Sequence, residues 1–173
     1  MATVLAEGAV YIALMADTSK IPPLDPLTER ALASELFNLT WQYLDMPTRD
    51  GSQDAAMLHA VHSSCWHWRA VGGPEQHAIG EWLCSRVYAV LGDGALALLH
   101  AQQSLAICEQ FQLQNFVPAS AHEALARAYC LLDSHERAIS HRNLAYHLAI
   151  DLPDDDDRAV IEHDLSTLPL PAQ

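Results

Sequence analysis

Lysine is almost missing from this chain. Lys20 is the only one, and the nine basic residues stand against 22 acidic ones for a formal charge of -13. A surface that holds nucleic acid must neutralise several phosphates on one face, so this composition excludes that class of partner. An anionic membrane surface is disfavoured for the same reason. Long apolar runs are also lacking. The opening stretch 1–16, MATVLAEGAVYIALMA, has no positive leading region and contains Glu7. It is too short to span a bilayer and reads as an N-terminal segment packed on the domain rather than a signal peptide. Paired cysteine motifs are missing too: Cys65, Cys84, Cys108 and Cys130 lie far apart in apolar helical contexts. Free thiols in a reducing compartment follow, rather than disulfides or zinc ligands, which places the protein in the cytoplasm. There is no useful strand alternation, no glycine-rich phosphate loop, no lipase elbow and no kinase motif.

What is present is apolar and helical. Half of the 173 residues are hydrophobic, enough for one domain with a sizeable core. Residues 1–26 form the N-terminal segment and a linker, whose DTSKIPPLDP stretch is too rich in proline for a helix. Apolar spacing predicts helices over Leu27–Leu44 and Asp54–Val71, a divergent first pair within 27–73. Further helices follow over Pro74–Leu91, Ala95–Phe111, Ala119–Leu132 and a segment ending near Ile150, giving two hairpins within 74–150. A last amphipathic helix, Asp154 to Leu168, is expected to cap the stack. The aspartates Asp154 to Asp157 fall in its first turn, where carboxylates favour the helix dipole and satisfy free amides. No calcium loop with a closing glutamate surrounds them.

The two hairpins are written alike. A single shift that places Arg127 on Arg86 also places Tyr129 on Tyr88, Leu132 on Leu91, Ala138 on Ala97 and Ala145 on Ser104. A hairpin cannot bury its own apolar faces, so such units stack. The pattern resembles the tetratricopeptide repeat. In that family a small residue lets the two helices approach, an aromatic fills the angle between them, and a turn residue reverses the chain. Ser85, Tyr88, Gly92, Ala97 and Ser104 supply these features in one copy; Ala126, Tyr129, Asp133, Ala138 and Ala145 supply them in the other. The usual tryptophan of the first helix is displaced, with Trp82 one place late, and the offset exceeds the usual length of about 34 residues. In the first pair no comparable motif is legible. The stretch HWRAVGGPEQHAIGEWLCSRVYAVLG is also similar to a group of bacterial helical proteins with no assigned function. The resemblance implies an all-α, short right-handed superhelix of stacked hairpins, with a plain helical bundle as the alternative.

The resemblance further implies that ligands lie in a concave groove lined by the first helix of each pair. The groove positions are Trp82, Arg86, Glu123 and Arg127. Two arginine forks there can hold a carboxylate by charge-assisted hydrogen bonds, with Trp82 as an apolar wall. The plainer alternative is that Arg127 pairs with Glu123 at i,i+4 and Arg86 with a nearby acid. The expectation is a non-catalytic interaction or scaffold protein without cofactor, binding an acidic or carboxylate-bearing protein or peptide. A second reading is a metal-dependent helical enzyme. His59 and His62 share a face, His67 lies nearby, and Glu81, His77 or His100 are third-ligand candidates. No HExxH or paired ExxH pattern supports it. A third reading is a structural subunit that forms a homodimer through exposed apolar and tryptophan surface.

Overall fold

The computed structural model describes residues 24–170. The N-terminal segment expected at residues 1–16 and most of the proline-rich linker lie outside the described residues. Seven α-helices follow in order: α1 Pro26–Leu44, α2 Gly51–Val71, α3 Pro74–Val90, α4 Gly94–Phe111, α5 Val117–Leu131, α6 His135–Ile150 and α7 Asp155–Ser166. The all-α expectation holds, and most helix ends fall close to the spacing-based ones. The exception is the start of α2. Asp50 accepts hydrogen bonds from the Ser52 and Gln53 amides, while the Gln53 side chain accepts from the Asp50 amide. This reciprocal cap starts the helix at Gly51, ahead of the expected Asp54. At α7 the Asp154 carboxylate accepts from the amides of Asp156 and Asp157, so the aspartate run is a cap and a first turn.

The helices pack as sequential antiparallel hairpins, α1 on α2, α3 on α4, and α5 on α6. Successive hairpins meet through α2 on α3 and α4 on α5, and α3 also touches α5. Helix α7 lies on α6 and α5. It thus takes on the third hairpin the place that α5 takes on the second.

Local chemistry repeats with this packing. Between α3 and α4 the chain turns at Gly92 with φ 80°, and between α5 and α6 at Asp133 with φ 55°. The Asp93 amide then donates to the Tyr88 carbonyl and the Ser134 amide to the Tyr129 carbonyl, each at 2.9 Å. Both turns are left-handed helix terminations of one kind. Close approach within the hairpins comes from small residues. Ala97, Ala101, Ala138 and Ala145 are fully buried.

The first hairpin shares this construction, although its sequence hides it. The Ser64 hydroxyl donates to the Ala33 carbonyl, as the Ser104 hydroxyl donates to the Ala78 carbonyl, both at 2.8 Å. Buried Thr40 and partly buried Tyr43 then stand for Ser85 and Tyr88. The step from Ala33 to Ala78 is longer than the step from Ser64 to Ser104. A longer loop before α2 and a longer first part of α2 itself absorb the difference, so no single shift aligns the pair. Helix α7 keeps the register of the later hairpins: Asp164, Thr167 and Leu170 follow Glu123, Ala126 and Tyr129.

Candidate functional site

The four residues expected to line a groove stand on α3 and α5, and two of them, Arg86 and Arg127, meet at the buried carboxylate of a third, Glu123. Glu123 is 1% exposed. Arg127, one turn along α5, donates through Nε to Glu123 Oε1 at 2.8 Å, and Arg86 Nη1 approaches the same oxygen at 3.6 Å. Burial strips the Glu123 carboxylate of hydration and pushes its pKa up. Arg127 and Arg86 oppose that rise and Asp164 adds to it.

The ladder continues onto α7. Arg86 Nη2 donates to Asp164 Oδ1 at 2.8 Å. Arg127 Nη2 donates to the Asp164 carbonyl at 2.9 Å and to Thr167 Oγ1 at 2.8 Å. The arginines therefore hold carboxylates of their own chain, one at i,i+4 and one from a distant helix. Asp164 was not singled out from sequence. Its signal was its position, since the shift that carries Arg86 to Arg127 also carries Glu123 to Asp164. Arg127 and Asp164 thus occupy the positions of Arg86 and Glu123 one hairpin later, although Arg127 takes the Asp164 carbonyl rather than its carboxylate.

Among the described residues, three buried side-chain polar atoms lack a hydrogen-bond partner: Trp82 Nε1, Arg86 Nη1 and Glu123 Oε2. All three belong to the predicted groove set. Trp82 and Arg86 share a face of α3 at i,i+4. The Trp82 ring tilts against Trp41 of α1, with centroids 5.9 Å apart. The Trp82 indole N–H is thus left without an acceptor beside an apolar wall, where a carboxylate or carbonyl oxygen suits it, while Arg86 Nη1 has only Glu123 Oε1 at 3.6 Å.

The histidines of the metal reading are distributed differently. His62 Nε2 lies 2.9 Å from the Tyr88 hydroxyl, while His59 is exposed. His67 pairs with Glu29, His77 with the Trp68 carbonyl, and His100 Nδ1 with Glu81 Oε2 at 2.7 Å. Of the third-ligand candidates, Glu81 and His100 pair with each other and the His100 ring lies 5.5 Å from the His62 ring, while His77 is engaged elsewhere. Among the described residues, no group of three or more His, Cys, Asp or Glu is placed to hold a metal ion.

One arrangement recurs by the same shift. Glu81, Tyr88 and His100 meet in the second hairpin, with Tyr88 stacked on His100 at 5.3 Å. His122, Tyr129 and His141 meet in the third, with Tyr129 stacked on His141 at 5.5 Å. The His122 and His141 Nδ1 atoms are 2.9 Å apart, so one ring donates and the other accepts. Burial, and then the neighbouring His141, push the His122 pKa down to about 4. Burial lowers His141 as well.

A cleft of about 330 Å³ opens between α2 and α4 over α3, lined by His62, Cys65, Trp66, Arg69, Glu81 and Cys84, among others. Among the described residues no helix is long and apolar enough to cross a membrane. Compared with family models, curated proteins and solved structures, the chain finds no match.

Proposed function

We propose that this protein is a non-catalytic interaction protein of tetratricopeptide-like build. Its three hairpins and α7 would form a short right-handed stack, and it would hold a carboxylate-bearing protein or peptide segment along the α1–α3–α5 face. The observation that carries this reading is the set of unsatisfied polar atoms, because burying a donor without an acceptor costs about 1–3 kcal/mol. Trp82 and Arg86 share a face of α3 at i,i+4; Trp82 Nε1 has no partner and Arg86 Nη1 has only Glu123 Oε1 at 3.6 Å, and an incoming oxygen would satisfy the indole donor. Arg86 and Arg127 already bind acidic partners of this chain, which supports a preference for carboxylates. The bound group would sit beside the Trp41–Trp82 wall, so that α7 keeps its own contacts.

The test is titration of the labelled chain with glutamate- and aspartate-rich peptides, following the Trp82 indole N–H resonance assigned through Trp82→Phe. That variant keeps an apolar ring and removes the donor. Saturable displacement of this resonance, with affinity reduced about tenfold or more in Trp82→Phe, is expected if the donor gives one net hydrogen bond to a charged group. A peptide that binds with equal affinity to both chains, or no peptide that moves the resonance, overturns the assignment.

A further inference from the structure

Helices α2 and α3 meet unusually closely at Gly80. A Cβ built there would lie 3.0 Å from Cys65 Sγ and 3.9 Å from Cys65 Cα, so glycine is what lets the α2 backbone come this near. One turn further along α3, Cys84 Sγ stands 3.5 Å from Cys65 Sγ. The two sulfurs differ in surroundings. Cys84 is 1% exposed, while Cys65 is partly exposed, and both line the cleft between α2 and α4. His62 reaches over the pair, its Nδ1 3.9 Å from Cys84 Sγ and its Nε2 2.9 Å from the Tyr88 hydroxyl. With Nε2–H donating to Tyr88, Nδ1 turns its lone pair towards the Cys84 thiol.

We propose that Cys65 and Cys84 are a disulfide-forming site, oxidised by a hydroperoxide that enters the α2–α4 cleft, and that the bridge locks the first hairpin to the second. The Cys65 sulfur attacks the terminal oxygen of the hydroperoxide. The O–O bond breaks, the alcohol leaves with the thiol proton, and Cys65 becomes a sulfenic acid. The Cys84 sulfur then attacks the Cys65 sulfur. Its proton passes to the departing hydroxide, which leaves as water as the S–S bond forms, with His62 Nδ1 3.9 Å from Cys84 Sγ to orient the thiol. Two thiols lose two electrons and the hydroperoxide gains them. The first attack falls to Cys65, because the hydrogen bond to Cys65 and burial push the Cys84 thiol well above its ordinary range and keep it protonated. Joining the sulfurs requires an approach from 3.5 Å to about 2.05 Å. Cys108 and Cys130 lie in other core clusters and serve as internal controls.

The experiment treats the reduced, full-length protein with hydrogen peroxide, blocks the remaining thiols under denaturing conditions and maps the peptides by mass. A loss of two hydrogens, two of the four thiols protected, and a Cys65–Cys84 peptide are expected, with Cys108 and Cys130 still alkylated. In Cys84→Ser the sulfenic acid should persist on Cys65 and be trapped by dimedone. Four alkylated thiols after treatment of the unmutated chain, or a bridge that uses Cys108 or Cys130 or joins two chains, overturns the proposal. The unmutated chain decides the matter even if the variant fails to fold.

Discussion

At the scale of single residues, the cost of burying charge decides what the acidic and imidazole groups do. Glu123 is buried together with counter-charges from two helices, and an ion pair taken out of water contributes little unless its geometry is good. Removing either arginine would leave buried charge less compensated, so the cluster is costly to break even where its net contribution is small. The His122–His141 contact has a pH dependence of definite sign. The folded chain holds His122 at about 4, whereas its ordinary value is 6.5. Between those values the unfolded chain binds the extra proton, so this pair stabilises the fold fully above about pH 6.5 and loses that contribution as pH falls towards about 4. Glu123 works in the opposite sense, since its raised pKa favours the folded state at low pH. Urea midpoints measured from pH 7 to pH 4 should fall, and the fall should shrink in a His122→Asn/His141→Asn variant. An unchanged slope in that variant would place the pH dependence elsewhere.

Among the elements, the hairpin turn gives a sharper prediction. Gly92 and Asp133 occupy equivalent left-handed positions, but only glycine does so without a Cβ penalty. Asp133→Gly should stabilise the chain by about 1 kcal/mol, seen as a higher urea midpoint at unchanged slope. A lower midpoint would mean that the aspartate side chain contributes more than its strained backbone costs. The second hairpin was legible because its motif and its turn keep one offset from the third. The first was not, because its longer loop and longer α2 give its two helices different offsets from the second hairpin. Only the paired serine hydrogen bonds reveal it.

For the whole molecule, α7 joins what the hairpins leave open. Ile161, Leu165 and Leu168 pack with Ala119, Ala126, Ala145 and Ala149 of α5 and α6. Asp164 ties the same helix to Arg86 on α3, beyond its immediate neighbours. Ile161 is 1% exposed, so Ile161→Ala should cost about 2–5 kcal/mol. Amide exchange should accelerate in α7 and also near Arg86, because the ladder couples them. Faster exchange confined to α7 would show that the ladder transmits no stability.

Helix formation, capping and turn chemistry are local, which is why seven helices, their approximate ends and the pairing of neighbours could be read from residue spacing. The constant offset between the later hairpins was equally visible, and it puts Trp82, Arg86, Glu123 and Arg127 on the equivalent helices α3 and α5. The stacking of distant segments is not local. That Asp164 would meet Arg86, that Glu123 would be sealed from water, and that Cys65 would come within reach of Cys84 depends on helices packed at close range. Those contacts arise in the packed fold, because a residue's burial and its partners are set by which helix faces it, and spacing along one helix carries no record of that neighbour.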